Sequence, residues 1–346
     1  MPPKEIIIDI SVIVPVGRDD ISRCLDSLAA QTFPRDRYEV ILVSHRPLTV
    51  TAASELVCLT VSGTDPATKR NAGGKAARGD ILAFIDDDAW AREDWLATGF
   101  HFMEKYPDAG GVGGPRLLPP DSSFQEKVSD VIAHSKFFGN GHLNWPEMEL
   151  RDKIPHGIIN TCNCFIRKSV FDSVGGFNET LALGGEDTEF FFRASHRENH
   201  PFAYTWKLVV YHPPRRIGWG PFKQRYSYRV QNGRMLWVHP SIYLSRPTFS
   251  IGVFGITIFL IASAIWPIVF PIGLGLYLLL ALAETVTYAF YDWRFLFVLP
   301  PIFFIHHSVY YFAIMKGFLS IITDYDGIRR LKESTRRSSN LYSQEN

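Results

Sequence analysis

The chain has 346 residues, enough for two domains or for one large domain with an appendage. Its 36 Lys and Arg residues nearly balance 35 Asp and Glu residues, and a formal net charge of +1 excludes a protein that is basic throughout and binds nucleic acid by charge. A hydrophobic share of 46% excludes a disordered chain, and four cysteines are too few for a disulfide scaffold.

Apolar β-branched runs alternate with helical patterns through the first 120 residues. The order β-α-β-β-α-β, with nearly continuous apolar strands, predicts an α/β sheet covered by helices on both faces. Because such sheets bind ligands at the carboxyl ends of their strands, the residues directly after the fourth strand are the first candidates for a site. The predicted strands are Ile10 to Val16, Tyr38 to Val43, Leu56 to Val61 and Asp80 to Ile85.

Three adjacent carboxylates, Asp86-Asp87-Asp88, follow that fourth strand. Their mutual repulsion is offset when a hard cation or the phosphates of a nucleotide are bound. Alternate residues of an extended chain point the same way, so we expect Asp86 and Asp88 to share one ligand while Asp87 faces elsewhere. The alternative is a solvated acidic turn that caps the next helix.

Three further segments favour a ligand site over the acidic turn. Residues 69–74 (KRNAGG) offer cations and flexible backbone of the kind that approaches a diphosphate closely. Glu186 and Asp187 follow Gly184-Gly185 at the start of a predicted helix, where helix capping is the alternative to catalysis. His212 ends a short strand, and its imidazole can serve as a third metal ligand.

The C-terminal part of the chain contains three apolar stretches. Residues 249–270 carry no charge, residues 271–290 carry only Glu284, and together they predict a membrane-spanning helical hairpin rather than a buried soluble one. The stretch 295–315 is interrupted by Pro300-Pro301, which we expect to make this part re-entrant or interfacial. Cationic residues before the first stretch and after the third predict cytoplasmic flanks and a cytoplasmic N-terminal domain.

The segment between the two parts is strongly basic. Residues 207–246 hold eight Lys and Arg residues and no Asp or Glu, so subtracting them from +1 leaves −7 for the rest of the chain. The segment is interpreted as an interfacial helix on anionic lipid, although some of its cations could instead close over a donor diphosphate. The predicted boundaries are residues 1–215 for the catalytic domain, 216–247 for a basic amphipathic juxtamembrane segment, 248–323 for transmembrane helices and 324–346 for a basic tail.

Residues 11–43 (SVIVPVGRDDISRCLDSLAAQTFPRDRYEVILV) resemble the opening of family-2 glycosyltransferases of the GT-A fold. Residues 69–88 (KRNAGGKAARGDILAFIDDD) resemble their Arg-Asn-x-Gly and Asp-x-Asp segment, and residues 170–192 their Gly-Gly-Phe and Glu-Asp motifs. The resemblance extends over about residues 10–235. It implies a GT-A fold, that is, a Rossmann-like nucleotide-sugar-binding domain, here followed by C-terminal transmembrane helices similar to those of membrane-anchored bacterial exopolysaccharide enzymes.

The resemblance also implies roles for residues on the donor side. Asp86 would face the ribose or phosphates, and Asp88 would coordinate Mg²⁺ or Mn²⁺ on the donor diphosphate. Asp86 and His212 would complete the metal site. Arg70 and Asn71 would border the donor, as would Pro15, Gln231 and Arg234. Met235 stands where the Gln-x-x-Arg-Trp pattern of processive members has Trp, which argues against processive synthesis.

On the acceptor side, Asp187 would be the general base and Glu186 would orient the acceptor or the base. One base opposite a metal-bound leaving group implies inversion at the anomeric carbon. We therefore expect an inverting, metal-dependent glycosyltransferase of the cytoplasmic membrane with a lipid-linked or polysaccharide acceptor, membrane lipids as partners and no nucleic acid. The alternatives are a sugar-phosphate nucleotidyltransferase and a non-catalytic membrane assembly protein with a degenerate transferase domain.

Overall fold

The computed structural model describes residues 8–48, 56–135, 147–152, 154, 157–181, 184–244 and 247–340. The described residues form two compact units. The first takes its residues from Met1–Pro119, Pro146–Pro213 and Glu333–Asn346, and the second from Pro120–Trp145 and Pro214–Lys332.

An eight-stranded mixed sheet and a separate three-stranded sheet make up the centre of the first unit. The strands are β1 (Ile10–Val16), β2 (Tyr38–Ser44), β3 (Leu56–Thr60), β4 (Ile81–Ile85), β5 (Trp90–Ala91), β6 (Gly111–Gly113), β7 (Arg116–Leu117), β8 (Met148–Arg151), β9 (Asn163–Arg167), β10 (Phe202–Tyr204) and β11 (Val210–Tyr211). The large sheet has the order β3-β2-β1-β4-β9-β6-β10-β8, and the small one β5-β11-β7. The predicted α/β fold is confirmed.

Helices surround the sheet in the first unit and make up the second. They are α1 (Ser22–Ala29), α2 (Pro66–Ala76), α3 (Trp95–Lys105), α4 (Phe124–His134), α5 (Lys168–Val174), α6 (Glu186–Phe192), α7 (Trp219–Met235), α8 (Pro240–Leu244), α9 (Pro247–Ile265), α10 (Val269–Ala289), α11 (Phe295–Thr323) and α12 (Tyr325–Asn340). Asp65 caps α2, where its side chain accepts a hydrogen bond from the Thr68 backbone N–H.

Strands β1 and β4 are neighbours and run parallel, with Ile10 opposite Ile81 and Ile13 opposite Phe84. Because parallel strands end at the same edge of a sheet, the loop after β1 and the carboxylates after β4 emerge side by side. Both strands are almost completely buried, which explains their nearly continuous apolar sequences.

Two glycines let α2 approach the sheet closely. A Cβ atom on Gly73 would lie 2.5 Å from a methyl group of Ile13, and one on Gly74 would lie 2.6 Å from the Phe171 ring. The interpretation of Gly73-Gly74 as a flexible backbone segment for a diphosphate was wrong, because both glycines are buried inside a regular helix. Their function is packing, and it sets the height of α2 above β1.

Residues 120–145 lie within the range predicted for the catalytic domain, but their described part folds with the C-terminal helices. Ser123 and Glu126 form a capping box at the start of α4. Val128 and Ile132 then join one buried apolar cluster with α10 and α11. At the end of α4, the Ser135 hydroxyl donates a 2.6 Å hydrogen bond to Glu284 of α10.

Helices α7 and α11 cross in the second unit with their backbones almost touching. Glycines stand on both sides of the crossing, and a Cβ on Gly317 would lie 1.9 Å from the Val230 carbonyl oxygen. Beside it, the Trp237 indole N–H donates to the Phe318 carbonyl at 2.7 Å, and the Arg229 guanidinium lies over the Tyr310 ring.

Two described helices are long and apolar enough to cross a membrane, namely α10 and α11, while the described apolar part of α9, Gly252–Ile265, is shorter. The predicted interruption at Pro300-Pro301 was wrong, because α11 continues through both prolines for 29 residues. Leu299 and Phe303 on either side are fully buried against neighbouring helices, and this packing offsets the backbone hydrogen bonds that the prolines cannot make.

Gly317→Ala is expected to destabilise the second unit, because the new methyl group collides with backbone rather than with a movable side chain. Overpacking of this kind costs about 1 to 3 kcal/mol. Gly275→Ala is the matched control, since nothing lies within 4 Å of a Cβ there. Thermal unfolding of the detergent-solubilised chain should give a lower Tm for Gly317→Ala alone, and equal Tm values would contradict the described crossing.

Candidate active site

Asp87 ties the turn after β4 to the loop after β1. Its Oδ2 atom accepts hydrogen bonds from the backbone N–H groups of Gly17 at 2.7 Å and Arg18 at 2.8 Å. Burial raises the pKa of the Asp87 carboxyl, and these two hydrogen bonds oppose the rise. Asp87 therefore fixes the loop, while its two neighbours point elsewhere.

Asp86 and Asp88 meet at His212, as the alternation of side chains predicts. The His212 Nε2 atom lies 3.1 Å from Asp88 Oδ1 and 3.8 Å from Asp86 Oδ2. The small sheet holds the histidine there: Tyr211 pairs with Trp90, two residues after Asp88, and the two rings stack. The His212 backbone N–H also donates to β7 at 3.0 Å.

These three side chains fit a divalent cation. One ligand atom from each of Asp86, Asp88 and His212 lies within 4.8 Å of the others. Two carboxylate oxygens and one imidazole nitrogen suit Mn²⁺, and the carboxylates also suit Mg²⁺. Burial raises the pKa of Asp88, but the hydrogen bond and charge of His212, with the charge of Arg18, outweigh this effect and hold the pKa well below its ordinary value. Asp88 is thus ionised, as a ligand must be.

Arg70 connects this triad to the start of α6. One terminal nitrogen, Nη2, donates to Asp86 Oδ1 at 2.8 Å, and the other, Nη1, donates to Glu186 Oε1 at 2.8 Å. The Arg70 side chain is only 5% exposed, so both ion pairs are shielded from water. Burial lowers the pKa of Arg70, but Asp86 and Glu186 more than compensate and raise it above its ordinary value.

Glu186 and Asp187 begin α6 directly after Gly184 and Gly185. Both glycines have positive φ, 110° and 94°, a conformation that glycine adopts without strain. Burial and the neighbouring charge of Asp187 raise the pKa of Glu186, and Arg70 opposes the rise. Asp187 Oδ1 accepts a hydrogen bond from the Thr188 backbone N–H at 2.6 Å, which accords with the predicted helix start.

Asn71 is fully engaged in holding a loop. Its amide donates to the Phe177 carbonyl and to Glu179, and its oxygen accepts from the Phe177 N–H, each at 2.8 Å. Both amide hydrogens are used in these bonds, so they support the site from behind rather than reach toward a donor. The loop that Asn71 holds leads from α5 to α6.

The other predicted donor contacts lie in two places. Pro15 is at the end of β1, at the same edge as the carboxylates. Gln231 and Arg234 lie on α7 in the second unit, where Gln231 is buried and Arg234 forms an ion pair with Asp324.

Arg18 is a site residue that the sequence analysis missed. Its guanidinium forms an ion pair with Asp88 and lies near Asp87. The only available signal was a cation just after the first strand. Its relevance depends on β1 and β4 being neighbours, which is a property of the fold and not of either segment alone.

Residues 11–175 match the family model described as glycosyl transferase family 2. These residues form a family 2 glycosyltransferase domain. The protein is a glycosyltransferase, and its relatives support this activity over that of a nucleotidyltransferase.

Two relatives are similar over most of their length. Glycosyltransferase AglE of Haloferax volcanii is 25% identical over 251 residues, which cover 68% of this chain and 77% of AglE. Succinoglycan biosynthesis protein ExoM of Rhizobium meliloti is 27% identical over 68% of this chain and 77% of ExoM.

Two further proteins are similar in part or in structure. O-antigen biosynthesis protein RfbC of Myxococcus xanthus is 31% identical, but this chain spans only 16% of RfbC. Among solved structures, S. aureus TarS 1-349 in complex with UDP-GlcNAc is similar with a TM-score of 0.47 and 15% identity, over 95% of this chain and 92% of TarS 1-349.

We predict that this glycosyltransferase binds Mn²⁺ and that Asp88→Asn weakens binding at least about tenfold, because the loss of a supporting residue already costs this much at metal sites. Asp80→Asn is the control, since Asp80 is exposed and lies directly before β4, at the end of the strand that is opposite to the candidate site. The Mn²⁺ affinity of both variants is measured by titration with Mn²⁺, with the free ion followed by electron paramagnetic resonance. Equal affinities in the two variants would contradict the assignment.

Proposed function

We propose that the chain is an inverting, metal-dependent glycosyltransferase that moves a sugar from a nucleotide-sugar donor to a membrane-associated acceptor, either lipid-linked or a polysaccharide. The observation that carries the proposal is the pair of ion pairs made by Arg70. They join the Asp86–Asp88–His212 triad to Glu186, so a single side chain, that of Arg70, bridges the triad and the acidic start of α6.

On the donor side, Asp86, Asp88 and His212 would hold Mg²⁺ or Mn²⁺. When bound, the ion offsets the negative charge that develops on the leaving diphosphate. The proposed catalytic domain comprises residues 1–119 and 146–213, without residues 120–145 of the predicted range 1–215, and we keep Pro15 as a predicted donor contact. The Asn71 amide contributes indirectly, through the loop before α6.

On the acceptor side, Asp187 accepts the hydroxyl proton while the acceptor oxygen forms its bond to the anomeric carbon. The bond between that carbon and the diphosphate oxygen breaks, and the nucleoside diphosphate leaves with the electron pair. A single displacement of this kind inverts the configuration. Glu186, which Arg70 holds in place, orients the acceptor or the base.

The C-terminal helices support a membrane location. Large apolar side chains are exposed along all three helices of residues 248–323: Ile258 is 66% exposed, Leu279 64%, Phe297 69% and Ile322 79%. A soluble monomer rarely exposes apolar surface on this scale. We infer that these helices enter the cytoplasmic membrane more than once, with the catalytic domain, the basic segment 216–247 and the tail 324–346 on the cytoplasmic side. The partners would include membrane lipids.

The proposed function predicts release of nucleoside diphosphate from one member of a panel of nucleotide sugars, dependent on Mn²⁺ or Mg²⁺, and a product of inverted configuration by NMR. Asp187→Asn should lower transfer by about 10² or more, the usual contribution of a general base. Asp172→Asn is the control, because Asp172 lies on α5 and forms its ion pair with Lys168 of the same helix rather than with a residue of the candidate site.

Near wild-type transfer by a folded Asp187→Asn variant would remove Asp187 as the base. A wild-type protein with neither turnover nor nucleotide affinity would favour the non-catalytic assembly protein instead.

The pH dependence of transfer provides a separate prediction. Because burial and Asp187 raise the pKa of Glu186, Glu186 takes up its proton at a higher pH than a free glutamate does. As the pH is lowered, transfer should therefore begin to decline at a pH above the ordinary titration range of glutamate, which is centred at about 4.3. In Glu186→Gln this decline should move to lower pH, as measured by kcat against pH. An unmoved acid limb would show that another group controls it.

A further inference from the structure

Arg70 occupies an unusual position, because one buried guanidinium is shared between two carboxylates from distant elements. Its two bonds, to Asp86 after β4 and to Glu186 on α6, have the same length of 2.8 Å. Among the described atoms, Arg70 Nε is buried and has no hydrogen-bond partner. The two carboxylates thus provide all of its described hydrogen bonds.

The backbone that carries Arg70 has little freedom to move. Asp65 caps α2 through both the Thr68 N–H and the Thr68 hydroxyl, at 2.8 Å each. Gly73, one turn after Arg70, lies directly against Ile13 of β1. Because the helix is fixed, the guanidinium can shift from one carboxylate toward the other only through movements of the Arg70 side chain and of the two carboxylates.

We propose that Arg70 is a positioning residue that couples cation binding at Asp86 to the placement of Glu186. This inference rests on the proposed function, since it needs the divalent-cation site. A cation at Asp86 competes with the guanidinium for the same carboxylate and repels it. Arg70 is then held mainly by Glu186, which orders the acceptor side once the donor side is loaded.

Such coupling is reciprocal, because the effect of one site on another is a free energy that both sites share. Glu186 must therefore influence the affinity for the cation, although it is not one of the three ligands. When Glu186 is removed, the whole charge of Arg70 acts on Asp86, and the cation binds more weakly.

Asp187 provides a matched comparison. It carries the same charge one residue further along α6, and among the described contacts it makes no hydrogen bond or ion pair with Arg70. Its charge acts on Arg70 only through space, so its removal takes away a nearby negative charge without breaking a bond to Arg70. If the removal of Glu186 weakens cation binding more than the removal of Asp187 does, the difference measures the contribution that passes through the ion pair between Arg70 and Glu186.

The experiment is a double-mutant cycle on the full chain in detergent, with the Mn²⁺ dissociation constant from electron paramagnetic resonance as the readout. Glu186→Gln should weaken Mn²⁺ binding about tenfold more than Asp187→Asn does, a coupling within the usual range of 5- to 150-fold. In an Arg70→Gln background, the two substitutions should agree within about twofold. Circular dichroism checks that each variant is folded.

If Arg70→Gln does not fold, Arg70→Lys replaces it, because a lysine keeps the charge but cannot bridge both carboxylates with two nitrogens. The difference between Glu186→Gln and Asp187→Asn should then fall at least to half on a logarithmic scale. Equal effects in the wild-type background, or a difference that persists without Arg70, would overturn the inference. A wild-type chain that binds no Mn²⁺ would instead contradict the proposed cation site.

Discussion

A buried guanidinium is tolerated only when its charge is paired, because breaking such a pair leaves an ion in a medium that solvates it poorly and costs about 3 to 5 kcal/mol. Arg70 imposes this constraint on the catalytic unit. Asp86 must stand at the end of β4 and Glu186 at the start of α6, each within hydrogen-bond distance of the same side chain. The stability of the fold and the geometry of the candidate site thus depend on the same two ion pairs.

The remaining parts of the site follow from how the sheets are assembled. The parallel neighbours β1 and β4 bring the loop at Gly17 to the acidic turn, where Asp87 binds it. The small sheet brings His212 to Asp86 and Asp88 from a segment more than a hundred residues away. Backbone pairing within the two sheets brings the elements that carry these residues together, so the cation ligands are positioned by rigid elements before any ligand binds.

Much of this arrangement could be predicted from local patterns. Strand periodicity located the acidic turn, and side-chain alternation separated Asp87 from its neighbours. The place of Arg18 in the site was not predicted, because Arg18 reaches Asp88 only when two strands become neighbours. Gly73-Gly74 misled because glycine suits both phosphate binding and close helix packing, and only the position of Ile13 distinguishes them. The prolines of α11 led to a wrong prediction, because tertiary packing outweighed the local tendency of proline to interrupt a helix.

An experimental structure with Mn²⁺ and a nucleoside diphosphate would decide whether Arg70 links a cation site after β4 to the start of α6. We expect anomalous density for Mn²⁺ bounded by Asp86, Asp88 and His212, the diphosphate on that ion, and Arg70 still bonded to Glu186. Density for Mn²⁺ at a different place, or a Glu186 turned away from Arg70 with the nucleotide bound elsewhere, would contradict this expectation.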